Sequence, residues 1–270
     1  MNKMRSFIWL TVFILSACAS TPELPGKLGK TYQLAKSGDP QAQAELGFAY
    51  LYGKGISRDF KLGKQWLNRS LSQNYPRAMT YMGDMHLRGL GVEKNQQKAI
   101  ALFRQAALLG DTLAQNNLGE IYRQGDGVVQ NNKEAFKWYQ RAAEQNDPKG
   151  QLNLGHLYSR GHGIGKNLAK AHAWYLLSAK QGNRDAQYRI GSHYERGIVV
   201  KKDIAQSLKW LNASAAQGFI DAQIKLGQLY TGKEGFPRDS ERAKKWLSKA
   251  ARAGNDEARR ALYQLENTRQ

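Results

Sequence analysis

Apolar and small residues recur at three- and four-residue intervals along most of this chain, in short segments that come in pairs. Between Asp111 and Asp147 the first segment carries Ala114, Leu118, Gly119 and Tyr122. The second carries Ala135, Trp138, Tyr139, Ala142 and Ala143. Such spacings set each group on one face of a helix. Between them, the glycines of Gly125-Asp126-Gly127-Val128 permit a tight turn. Asn131 then stands where an N-cap accepts hydrogen bonds from the free amides of the second helix. The pattern predicts a helical hairpin.

That hairpin occurs six times, each copy offset by 36 residues. Gly47, Gly83, Gly119, Gly155, Gly191 and Gly227 mark the register. A small residue lies five positions before each, and a large one, usually tryptophan, lies 19 positions after. Asp59, Asn95, Asn167, Asp203 and Asp239 repeat the cap position of Asn131. A fixed period of this length predicts an all-α solenoid whose units contact only their neighbours. Gly119 is expected to admit the small Ala135, while Trp138 and Tyr122 fill the space between hairpins. Partial repeats close the array. Thr31 to Ser37 match the end of a second helix. Ala258 and Leu262 match a first helix, with Tyr263 in place of the register glycine.

The consensus A-x-x-x-L-G-x-x-Y-x-x-G-x-G-V, followed by A-x-x-W-x-x-x-A-A-x-x-G, resembles the Sel-one-like repeat, a relative of the tetratricopeptide repeat. The resemblance covers residues 31–265. It implies a right-handed α-superhelix that acts as an adaptor in protein assemblies. Departures from the pattern include His86 for tyrosine, Gly63 for alanine, and Val199 and Lys233 for turn glycines. The two glycine losses are expected to shift their turns and spare the helices.

The amino terminus reads as a targeting segment. Lys3 and Arg5 precede an apolar run from Phe7 to Leu15, too short to span a bilayer as a mature helix. Leu15-Ser16-Ala17-Cys18 resembles the lipobox of bacterial lipoproteins, which implies cleavage before Cys18 and its acylation. The alternative is an ordinary secretory leader with a chance cysteine. The resulting division is a signal peptide at 1–17, a lipidated cysteine and tether at 18–30, and the solenoid at 31–270. Residues Ala19 and Ser20, with no aspartate after the cysteine, point to the outer membrane facing the periplasm. Cys18 is the single cysteine, so an intrachain disulfide is excluded.

The formal charge of +19 is compatible with an acidic protein partner, anionic lipid or glycan, or simply a hydrated basic surface. An exported protein does not meet nucleic acid. No catalytic constellation emerges: the five histidines form no HExxH pair, and Gly161 to Lys166 lacks phosphate-loop spacing. Neither enzyme activity, cofactor nor metal is expected. A binding surface is expected instead, on the first-helix positions two before, one after and five after the register glycine. If first helices line the concave side, this ladder comprises Phe48, Tyr52, Tyr81, Asp84, Arg88, Glu120, Gln124, His156, Arg160, Arg189, Arg196 and Lys225. It varies between copies while the packing positions repeat. The function expected is an outer-membrane-anchored periplasmic scaffold that holds a protein partner with an acidic surface. Two alternatives stay open: an immunity protein neutralising a type VI secretion effector such as a phospholipase, and an envelope glycan- or lipid-binding protein.

Overall fold

The computed structural model describes residues 26–232 and 235–267. The leader, Cys18, most of the tether and Lys233 lie outside them. Fourteen helices and no strand occur among the described residues. They are α1 (Gly26–Lys36), α2 (Pro40–Tyr52), α3 (Phe60–Leu71), α4 (Pro76–Arg88), α5 (Gln96–Leu108), α6 (Thr112–Gln124) and α7 (Asn132–Glu144). Then come α8 (Pro148–Arg160), α9 (Leu168–Lys180), α10 (Arg184–Arg196), α11 (Ile204–Ala216), α12 (Ile220–Leu229), α13 (Ser240–Arg252) and α14 (Asp256–Asn267). Even-numbered helices are the first helices of the hairpins; α3 to α13, odd-numbered, are the second. α1 and α14 are the half-repeats that close the ends. α1 begins at Gly26, so the solenoid takes in the last part of the segment read as tether.

All six predicted caps are made. Each side chain at the cap register accepts a hydrogen bond from a backbone amide in the first turn of its second helix. First helices have a cap of their own in Asp39, Asp111, Asp147 and Asn183. Each helix packs on its sequence neighbours. First helices of successive repeats also meet, α2 with α4, α4 with α6, α6 with α8 and α12 with α14, and no comparable contact joins successive second helices. First helices therefore form the shorter, inner wall.

The register glycine does a different job from the one expected. It faces the residue twenty positions on, a large one, more closely than the small one at sixteen. Leu67, Phe103, Tyr139, Tyr175, Leu211 and Leu247 lie directly over Gly47, Gly83, Gly119, Gly155, Gly191 and Gly227. All six are at most 2% exposed. A methyl group on Gly155 would sit 2.6 Å from Tyr175 Cδ1 and 3.3 Å from the Ala171 carbonyl. The close approach of the second-helix backbone is real, but a large side chain fills the notch. Trp138 packs as expected against the preceding hairpin, in one buried cluster with Ile100 and Phe103 of α5. Tyr263, at the register position of α14, is exposed.

Polar ties also link repeats. Ser70, Ser178 and Ser214 each donate across the seam to a carbonyl thirty residues earlier, at 2.6 Å. Buried Gln43, Gln115, Gln187 and Gln223 donate to carbonyls of the preceding helix at 3.0–3.2 Å. These ties satisfy polar groups that burial would otherwise leave costly.

The two turn departures behave differently. At the fifth turn Val199 keeps the backbone of the glycine it replaces, with φ at 66°. Gly197 still ends α10 in the left-handed conformation, so this turn does not shift. A β-branched residue there is strained by about 1–3 kcal/mol. Val199→Gly is therefore expected to raise stability by about 1 kcal/mol in urea unfolding, after the entropic cost of glycine is subtracted. At the sixth turn, where Lys233 stands at the capping-glycine register, α12 ends at Leu229 and Tyr230 remains right-handed. Its helix is shortened to 10 residues from the usual 13.

Candidate functional site: the inner wall

The ladder positions fall on the inner wall and touch from repeat to repeat. Phe48 stacks obliquely on Tyr52 at 4.7 Å and on Tyr81 at 4.8 Å between ring centres. The Tyr52 hydroxyl donates to Asp84, and Arg88 pairs with the same carboxylate at 2.8 Å. Phe48, Tyr52, Tyr81, Asp84 and Arg88 thus form one continuous patch at the N-terminal end.

The middle of the wall is polar and internally tied. Glu120 accepts from Arg123 at 2.5 Å, from the Tyr139 hydroxyl at 2.9 Å, and from Gln124. The Arg123 hydrogen bond, opposed by burial, holds the Glu120 carboxyl below its ordinary range. Burial, then the neighbouring Glu120 charge, pushes the Tyr139 phenol up. His156 Nδ1 meets the Tyr175 hydroxyl at 2.9 Å. Burial, then Arg189, lowers the His156 pKa, so the ring is neutral near pH 7. Arg189 is paired with Asp185 at 3.3 Å. Lys225 is paired at 2.5 Å with the buried Glu195. Arg160 and Arg196 are exposed and have no ion-pair partner among the described residues. A cavity of about 220 Å³ opens beside Arg160, lined by Arg123, Tyr139, Asn153, His156 and His162.

The ladder residues share one wall but are not uniformly available. Glu120, Arg189 and Lys225 spend their charge on the chain itself. Arg123, Tyr139 and Glu195 contribute to the wall and do not belong to the ladder. Arg123 and Glu195 share a register four after the glycine, where Leu51 and Leu87 stand in the first two copies. That change from apolar to charged is the sequence signal for them.

The repeat model of the Sel1 family matches six consecutive segments, 40–75, 76–111, 112–147, 148–183, 184–219 and 220–255. The chain belongs to the Sel1 repeat family. A solved Sel1 repeat protein from Oxalobacter formigenes is 29% identical, with a TM-score of 0.75 over 84% of this chain and 99% of its own. A protective antigen of uropathogenic Escherichia coli with the same fold is 33% identical, with a TM-score of 0.75 over 90% of this chain. This Sel1 chain spans about half (52%) of that antigen's length. An immunity protein of Pseudomonas aeruginosa shares the fold alone, at 16% identity and a TM-score of 0.53 over 88% of this chain and 85% of its own. No curated protein sequence matches significantly. A Sel1 array is a scaffold suited to protein–protein interaction, and the inner wall is where this one offers a contiguous variable surface.

A second polar cluster lies deeper in the Sel1 array, at the junction of α9 and α10. His172 and His193 stack with Nδ1 atoms 3.0 Å apart. The Tyr175 ring packs edge-on against both His156 and His193. His172 and His193 are buried, and burial lowers both pKa values, His193 to about 4. The described residues contain no group of three or more His, Cys, Asp or Glu side chains arranged to hold a metal ion.

Proposed function

We propose that this Sel1 repeat protein is a scaffold of the bacterial envelope, anchored to the outer membrane by acylated Cys18, with a protein partner held in its concave groove. The observation that carries the groove assignment is the pair Arg160 and Arg196. They are exposed on the inner wall with no ion-pair partner among the described residues, whereas neighbouring charges are neutralised within the chain. Two such guanidiniums, with an aromatic patch at Phe48, Tyr52 and Tyr81, suit an acidic segment anchored at its other end by apolar contacts.

The test is photo-crosslinking in cells from positions 81 and 160, with exposed Lys137 on the outer wall as control. One species captured from the groove and not from the outer wall supports the reading. The double reversal Arg160→Glu/Arg196→Glu is expected to reduce that capture at least about tenfold. Equal capture from both walls, or capture unchanged by the reversal, overturns it. A captured envelope component supports the scaffold role; a captured toxin replaces it with an immunity role. The anchor is read separately, by incorporation of labelled palmitate that Cys18→Ser abolishes.

A further inference from the structure

The positive charge of this chain is not spread evenly over its two walls. The six second helices carry 16 lysines and arginines against 3 acidic residues. The seven first helices, α2 to α14, carry 11 against 9. The excess therefore sits on the outer wall, and the inner wall is nearly balanced.

Outside the turns and the two end helices, where Leu34, Val129, Val199 and Tyr263 are exposed, exposed apolar residues follow the same division. Leu62, Leu108, Leu168 and Leu177 lie on second helices, and Leu109 caps one. Among the described residues, no first helix from α2 to α12 has an exposed large hydrophobic. Four of the five leucines belong to α5 and α9, in the middle of the array. Indoles lie along this wall beneath cations: Arg69 covers Trp66 at 4.4 Å, Arg141 covers Trp138 at 4.7 Å and Lys249 covers Trp246 at 4.9 Å.

We infer that the outer wall is a docking surface for an anionic lipid bilayer. Basic side chains alone would suit any polyanion. Leucines exposed on the same wall as those basic side chains suit a surface with an apolar layer under its charge, as at a membrane interface. None of the described helices is long and apolar enough to cross a membrane, so the association is peripheral. It leaves the groove facing away from the bilayer and open to a partner. The inference rests on the outer wall alone and stands whether or not the groove reading holds.

The test uses the full chain carrying Cys18→Ser, so that no acyl chain contributes, with phosphatidylcholine vesicles prepared with and without phosphatidylglycerol. The chain is expected to sediment with the anionic vesicles and much less with the neutral ones. Lys98→Glu, Lys133→Glu and Lys170→Glu combined should lower the partition coefficient at least about tenfold. All three sites are exposed in the first turn of a helix, where a carboxylate suits the helix dipole, so the fold is preserved. Leu108→Ser/Leu177→Ser should lower it several-fold at unchanged charge. Arg160→Glu/Arg196→Glu on the inner wall should leave more binding than the lysine triple. Equal binding to neutral and anionic vesicles overturns the inference, as does greater loss from the groove pair. So does binding that ignores the leucines and is matched by polyphosphate, which would make the wall a polyanion surface.

Discussion

Truncating Tyr139 to alanine is expected to destabilise the fold by about 3–5 kcal/mol, the range for removing a large buried aromatic ring. Tyr139 is 1% exposed and its ring lies directly against Gly119. Its hydroxyl is also one of three donors to Glu120, so the change weakens the inner wall and the core together. The same contact predicts a reversal of sign at the glycine. Gly119→Ala in the native background places a methyl group 2.6 Å from Tyr139 Cδ1. Forcing that overlap costs about 1–3 kcal/mol, against a gain of about 1 kcal/mol in helix propensity. The single substitution is therefore destabilising or at best neutral. In the Tyr139→Ala background the obstacle is gone and the propensity gain alone remains, so Gly119→Ala becomes stabilising by about 1 kcal/mol. Urea unfolding of the four proteins measures the cycle. Additive effects would show that the glycine does not admit the tyrosine ring, whatever the single substitutions do.

The contrast between Gly119 and Ala135 shows where the sequence stops being legible. The 36-residue period, the cap row from Asp59 to Asp239 and the closing helices are local patterns, and each element they predict is present. The register glycine was also evident as a point of close approach. Its partner was not, because sixteen, nineteen and twenty positions on all lie on the second helix, within one turn. Only the rotation of that helix about its axis decides which of Ala135, Trp138 and Tyr139 enters the notch. Trp138 takes the seam between hairpins, as its spacing predicts, and its indole N–H has no hydrogen-bond acceptor among the described residues. The ladder was legible as a face for the same reason the repeats were. Its availability was not. Lys225 is neutralised by Glu195, thirty residues earlier on the preceding first helix, and Asp111 by Arg77, one repeat before it. Such ties cross repeats and leave no trace in the period. Wall-by-wall charge became readable only when each basic residue could be assigned to a helix, and it moved the excess away from the groove.

Stability should fall as the pH drops below about 6.5, with His193 and His156 the two most depressed histidines. Its pKa is about 4 in the folded chain, against 6.5 for an ordinary histidine, because burial opposes the charged ring and His172, Arg189 and Arg196 oppose it further. A depressed folded-state value means that the unfolded chain takes up the proton first. The native state is thus undiminished above pH 6.5, loses stability progressively between 6.5 and 4, and levels off below that. At 1.36 kcal/mol per unit of displacement, His193 alone accounts for about 3 kcal/mol. His172 and His156 are lowered mainly by burial and act in the same direction. The groups facing the pair include Tyr175 and Tyr194 as well as the two arginines, and none is a carboxylate that could stabilise a second proton. With Nδ1 atoms 3.0 Å apart, one ring donates and the other accepts; a proton on both would break the contact and place two charges together. Carboxylates titrate in part of the same window, so the informative quantity is a difference between proteins. Urea midpoints of the native chain and of His193→Phe, taken at pH 7.5 and pH 5, should diverge in pH sensitivity, with the variant losing less on acidification. Equal losses in the two proteins would show that the ring at 193 titrates normally and that the junction of α9 and α10 does not resist protonation.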